Sequence, residues 1–337
     1  MKILIVKLAA IGDVLRTTSI LKGLKDKYPN CLIDWVTKKE SFGILKNNKI
    51  INNIFLLNNN LINDLKNINY DLVISLDEED EACKIATEIN KKKLVGAYFD
   101  NNKKTYTKDS APWFDMGLIS KYGKEKADEL KKLNKKTYQE IISNILGIKQ
   151  SELILNLGKK ELEFAKEFSK KNNLKKNDLV IGLNTSAGGR WQLKKLSIEK
   201  TADLADRLNK ELNAKIILFG GPEELERNQK IKEKTKTNII DAGCHNTLMQ
   251  FAALINLCDF VVVSDSLAMN IAIALKKKVI AFFGPTSAAE IELYGRGKKI
   301  VAPIECVFCY KRICNIKPNC MDSIKTEEII ESIKKLK

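Results

Sequence analysis

No stretch of this 337-residue chain stays apolar for the roughly 18–20 residues that a membrane-spanning helix needs, which excludes an integral helical membrane protein. The N-terminus, MKILIVKLAAIGD, has a charge and a short apolar stretch, but Lys7 interrupts it. ILIV therefore reads as a strand rather than as a signal-peptide core, and the expected location is the cytoplasm. No G-x-G-x-x-G follows that strand, so a nicotinamide-binding turn has little support. No short-period repeat is visible. No recognition module and no interleaving of aromatic with basic residues marks a nucleic-acid binder, so no nucleic-acid partner is expected. Histidine is almost missing: the single one is His245, in DAGCHNT.

Positive charge, by contrast, is plentiful. Lys and Arg number 58 against 42 Asp and Glu, a net of +16. Such an excess suits phosphorylated sugars, an anionic membrane face or nucleic acid, and suits equally a general bias toward Lys, Asn and Ile. With 44% hydrophobic residues the chain can build cores, and its length favours two domains.

Strands predicted at 2–7, 31–37, 54–57, 71–76 and 93–97 alternate with helices, notably 14–27 and 82–92. This alternation predicts a parallel sheet covered on both faces. It fails from 100 to 125, where a long loop is expected. A helix at 137–146 leads into the lysine-rich stretch 157–177, read as a surface helix and connector. The pattern restarts at DLVIGLN (178–184). Strands follow at 215–219, 238–241, 259–264 and 278–283, with helices at 197–212, 223–235, 247–257 and 266–275. The fold class is α/β, with domains at 1–156 and 178–322, a linker at 157–177 and a C-terminal helix at 323–337. Two such domains facing each other make a cleft, and ligands favour the carboxyl ends of the strands.

Four segments carry candidate chemistry. In KLAAIGDVLRTT, Gly12 allows a tight turn and Asp13 stands where a helix begins. Asp13 is either an N-cap, worth about 1 kcal/mol, or a general base at the carboxyl edge of the sheet. In LNTSAGGRWQLKKLS, small residues let backbone N–H groups approach an anion, and Arg190 can pair with phosphate. In LFGGPEE, Pro222, Glu223 and Glu224 suit a helix start, and a glutamate there can bind a ribose or an amino group. In VVVSDSLAMNIAIALKKKVIAFFGPTS, Ser264, Asp265 and Ser266 end a buried strand and open an almost wholly apolar helix, whose N–H groups form a diphosphate site. Asn270 inside that helix needs a partner, structural or ligand.

Together, IGDVLRTTSIL, GGRW, LFGGPEE and VSDSLAMNIAIALKKKVIAFFGPTSAAEIELYG resemble glycosyltransferase family 9, the ADP-heptose–lipopolysaccharide heptosyltransferases. The resemblance implies the GT-B fold: two Rossmann-like domains, with the acceptor mainly on the first and the nucleotide sugar mainly on the second. It implies an inverting, metal-independent transfer with no required cofactor. The sugar is a heptose from ADP-heptose, and the acceptor is a lipopolysaccharide core or another cell-envelope glycan. No Asp-x-Asp pair stands near the donor segments, in keeping with that expectation. Asp13 matches the catalytic acid residue of the family. Thr185, Ser186 and Arg190 match its phosphate loop, Glu223 or Glu224 its nucleoside-contacting glutamate, and Asp265 and Ser266 its nucleotide-sugar motif; Asn270 joins the expected donor site. The basic surface fits a glycolipid acceptor contacted peripherally at the inner membrane face. Departures are Asn270 where the family usually has histidine, Leu267 where glycine is common, and Ser19 in place of proline. They support a second reading, a nucleotide-sugar-binding protein of the same fold with impaired transfer.

Cysteines fall in two groups. Cys31, Cys83, Cys244 and Cys258 lie in apolar segments and read as small core residues. Cys306, Cys309, Cys314 and Cys320 form C-x2-C-x4-C-x5-C, a spacing compatible with a structural zinc or iron–sulfur cluster that would pin the loop before the final helix.

Overall fold

The computed structural model describes residues 1–188 and 191–337. The chain divides into two compact units: Met1–Asn156 with Ala289–Glu292, and Leu157–Ala288 with Leu293–Lys337.

In the first unit the strands are β1 (Lys2–Val6), β2 (Leu32–Thr37), β3 (Asn53–Leu56), β4 (Tyr70–Ser75), β5 (Lys91–Asp100) and β6 (Lys103–Tyr106). They lie in the order β3-β2-β1-β4-β5-β6, parallel except for β6, which runs antiparallel to β5. Ile3, Leu4, Ile5 and Val6 of β1 are fully buried, as expected of a central parallel strand covered on both faces. Leu4 and Val6 share a core with Leu8, Val36, Leu65, Val73 and Ile85.

The expected loop at 100–125 is largely regular structure. Asn101 and Asn102 take φ of 47° and 62°, a two-residue turn that asparagine tolerates, and this turn folds β6 back onto β5. Tyr106 then stacks on Phe114, with ring centroids 5.4 Å apart. Helices Ala111–Phe114 and Gly123–Leu133 follow. The helix expected at 82–92 spans Asp80–Glu88, because Lys91 already opens β5.

The second unit holds β7 (Val180–Asn184), β8 (Lys215–Leu218), β9 (Ile239–Asp241), β10 (Phe260–Ser264), β11 (Lys278–Phe283) and β12 (Gly297–Val301). All six are parallel, in the order β12-β11-β10-β7-β8-β9. The stretch 157–177 is not a free linker: its helix, Lys159–Lys171, belongs to this unit and packs on the helix Leu248–Ile255. The C-terminal helix runs Thr326–Leu336 and buries Ile329, Ile330 and Ile333 in the core of the unit.

Counted from its own first strand, each sheet has the doubly wound order 3-2-1-4-5-6. The strand order therefore reverses between β1 and β4 in one unit and between β7 and β10 in the other. Crevices at the carboxyl ends of such switch points are where ligands bind in this architecture. Among the described residues no helix is long and apolar enough to cross a membrane.

Candidate functional site

Asp13 lies at the switch point of the first unit. The helix after β1 spans Ile11–Thr17 and its N-cap is Ala10, which has no side chain to cap with. Asp13 is therefore not the cap. It sits in the first turn, with its N–H donating to the Ala10 carbonyl at 2.8 Å. The loop before the helix is held from β4 instead. Asp77 accepts from the Leu8 and Ala9 N–H groups at 2.9 and 3.2 Å, and Lys7 Nζ lies 3.3 Å from the same carboxylate. With these donors answered elsewhere, the Asp13 side chain stays 39% exposed.

What orients Asp13 is Arg16, one turn on. Arg16 Nε lies 3.1 Å from Asp13 Oδ1, and a terminal nitrogen of the same guanidinium lies 3.5 Å from Glu290 Oε2. The guanidinium carbon is 4.2 Å from the Tyr138 ring centroid and 5.3 Å from that of Trp113. The two rings meet edge to face at 5.0 Å. Thr17 Oγ1 donates to the Asp13 carbonyl at 2.7 Å, so the Tyr138 hydroxyl, also at 2.7 Å, is the donor to Thr17. Burial pushes that phenol up to about 12, which keeps it protonated as this role requires. The result is a carboxylate open to solvent on one side and fixed on the other.

In the second unit, the predicted residues gather at the carboxyl ends of β7, β8 and β10. Several are turned toward the protein. Thr185 Oγ1 lies 3.0 Å from Thr201 Oγ1 and 3.0 Å from an Arg227 guanidinium nitrogen. Ser186 Oγ donates to Glu224 Oε1 at 2.8 Å, and Glu224 Oε2 accepts from Gly221 N–H at 3.0 Å. All three side chains are buried, so they shape the loop ends, and what they offer a ligand is backbone. Glu223 is the exposed glutamate of the pair, beside Gly188, whose φ of +68° suits glycine. Ser264 Oγ donates to the Ser186 carbonyl at 3.0 Å and ties β10 to the loop after β7. Arg190 lies outside the described residues.

The helix Leu267–Ala274 opens with Ser266, not Asp265, at the N-cap. Ser266 Oγ is buried and has no hydrogen-bond partner among the described residues. Asp265 instead accepts from Lys194 Nζ at 2.6 Å and from Thr286 Oγ1 at 2.8 Å, and Lys194 also reaches the Asp265 carbonyl at 3.2 Å. This places a buried ammonium group at the head of an apolar helix. Asn270 Nδ2 reaches the Ser266 carbonyl only at 3.5 Å, the outer limit of a hydrogen bond.

Sequence reading missed Lys194, Arg16, Tyr138, Glu290 and Asp77. Only Arg16 had a local signal, three residues after Asp13 on the same helix face.

The cysteine loop straps the turn after β11. Phe308 and Tyr310 donate their N–H groups to the Gly284 and Pro285 carbonyls, both at 2.8 Å. Cys320 packs where a side chain on Gly284 would clash with its sulfur. Burial first, then the charges of Cys309, Cys314 and Cys306, push the Cys320 thiol up to about 11. Among the described residues, however, no three His, Cys, Asp or Glu side chains form a group that could hold a metal ion. As placed, the cysteines do not fit a zinc or iron–sulfur site.

A model of glycosyltransferase family 9 (heptosyltransferase) matches residues 59–319. The chain belongs to glycosyltransferase family 9. Lipooligosaccharide heptosyltransferase 2 of Campylobacter jejuni is 29% identical over 214 residues, 59% of this chain; the chain spans 63% of the length of that relative. A family 9 glycosyl transferase of Veillonella parvula has a TM-score of 0.82 at 22% identity, covering 99% of this chain and 96% of its own. The ADP-heptose lipopolysaccharide heptosyltransferase II of E. coli has a TM-score of 0.70 at 18% identity, covering 100% of this chain and 98% of its own. The fold is thus GT-B, as the motifs implied.

Proposed function

We propose that this family 9 chain transfers a heptose from ADP-heptose to a lipopolysaccharide core or a similar lipid-linked cell-envelope acceptor, in one inverting displacement that needs no metal. The observation that carries the reading is Asp13: an open carboxylate at a switch point, released from capping and oriented by Arg16. In the step, an acceptor hydroxyl oxygen bonds to the anomeric carbon of the heptose and its proton passes to Asp13. The bond from that carbon to the diphosphate breaks on the opposite face, and ADP leaves with the electron pair. Lys194 and the N–H groups at the head of Leu267–Ala274 supply positive charge and donors for the leaving diphosphate. Glu223, the exposed glutamate of the pair, is the one that contacts the nucleoside. An open, held Asp13 favours transfer over the reading of an impaired binding protein. We place the reaction in the cytoplasm, with the acceptor presented at the membrane face.

The test is transfer from ADP-heptose to a heptose-accepting core oligosaccharide in excess EDTA, beside a thermal-shift panel of nucleotide sugars. Full turnover in EDTA is expected. Loss that magnesium or manganese restores overturns the metal-free step, and stabilisation by ADP-heptose without any transfer overturns the enzyme reading.

Asn270→Ala is expected to weaken donor binding several-fold. Because its contact to Ser266 is long, the melting temperature should move by no more than about 2 °C. Calorimetric titration of the folded variant checks this; an unchanged dissociation constant takes Asn270 out of the site.

A further inference from the structure

We propose that residues 118–136 of the first unit form a docking surface for an anionic lipid bilayer, a proposal that rests on the reading of a lipid-linked acceptor. The helix Gly123–Leu133 buries only one of its residues, Ala127. Tyr122, Lys126, Glu129 and Leu133 follow at i, i+4, i+7 and i+11, so they share a face, and Ala127 lies on the other side. Large apolar groups stand bare on this stretch. Leu118 is 89% exposed, Leu133 63% and Tyr122 62%. The acid on the face is already answered, since Lys126 Nζ lies 2.8 Å from Glu129. Between 121 and 136 the sequence has seven lysines against three acids.

A merely solvated helix accounts for the lysines but not for bare Leu118 and Leu133 beside them. The combination is that of a helix lying in a bilayer interface. The two leucines enter the boundary between headgroups and acyl chains, and Tyr122 sits at the level where tyrosine is favoured. The lysines lay their stems along that boundary and bring their ammonium groups to lipid phosphates. Nucleic acid would use the lysines alone, and a second copy of this chain would meet the same excess positive charge on both sides.

The experiment is cosedimentation of the full chain with vesicles, without donor or acceptor. Binding to phosphatidylcholine vesicles containing phosphatidylglycerol is expected to exceed binding to pure phosphatidylcholine by at least about tenfold, and to fall steeply as salt rises. Replacing Lys121, Lys126, Lys132 and Lys136 with Gln together should lower it about tenfold or more. Leu118→Ser with Leu133→Ser should lower it several-fold at every salt concentration. All six side chains are exposed or partly so, and circular dichroism confirms that the variants fold. Equal binding to both vesicle types, or variants that bind as the parent does, overturns the proposal. So does retention on DNA without vesicle binding, or a dimer that the serine variants split while vesicle binding persists. The readout needs no catalysis: a chain that fails to transfer heptose leaves it intact, whereas a chain that transfers heptose yet ignores anionic vesicles sinks this inference alone.

Discussion

Asp13→Asn is expected to lower transfer by about 10²–10⁴-fold while leaving donor affinity within about twofold of the parent. The amide matches the carboxylate in shape but cannot take a proton from the acceptor hydroxyl. Damage to the fold does not confound the result. The helix start is set by Ala10, and the preceding loop is held by Asp77, so neither depends on the Asp13 side chain. Arg16 keeps its contacts to Glu290, Tyr138 and Trp113 in the variant. The donor residues lie in the other unit, which is why binding and turnover should separate. Steady-state kinetics with calorimetric titration of ADP-heptose measure both. Near-parental turnover removes Asp13 from the chemistry, and a matched loss of donor affinity assigns it to binding.

The parts of this arrangement that sequence reveals are those written in neighbouring residues. A buried strand such as KILIV, followed at once by a helix, places Asp13 at a carboxyl edge without any tertiary knowledge. SDS before an apolar helix does the same for Asp265 and Ser266. Local reading left Asp13 open between an N-cap and a general base, and it could not decide where the cap falls. Whether the chain turns into a helix one residue earlier or later depends on what holds the loop, and Asp77 holds the first loop from 69 residues away. Lys194 is similar. Nothing in QLKKLS distinguishes it from the many solvated lysines, because its meaning comes from a carboxylate 71 residues on. Strand β6 was legible in principle, since adjacent asparagines in DNNK favour a two-residue turn, but KKTY has too little apolar alternation to read as a strand. Strand β12, GKKIV, hides for the same reason, with only Ile300 deeply buried.

Lys194→Met should show the second large effect, and a double variant identifies its cause. Lys194 and Asp265 keep side-chain exposures of only 10% and 25%. Removing one member of a fully buried pair costs about 3–5 kcal/mol; water reaching the partly open Asp265 reduces this to about 2 kcal/mol, a fall of several degrees in melting temperature. Turnover should drop by about 10²-fold, the usual consequence of deleting one donor to a leaving group's charge. Two explanations would give the same single-variant result. Either Lys194 meets the diphosphate directly, or it only neutralises Asp265, which would otherwise repel the anion. Adding Asp265→Asn to Lys194→Met separates them, because the amide needs no cation beside it and still accepts from Thr286. The double variant should regain most of the lost stability in either case. If Lys194 serves the diphosphate, donor affinity and turnover stay low. If it only neutralises Asp265, donor affinity returns toward the parent value. The structure favours the first outcome, because the ammonium is held on Asp265 at the head of the helix Leu267–Ala274, where the Ser266 hydroxyl has no hydrogen-bond partner among the described residues. A Lys194→Met chain with parental donor affinity and turnover would remove the lysine from the site altogether.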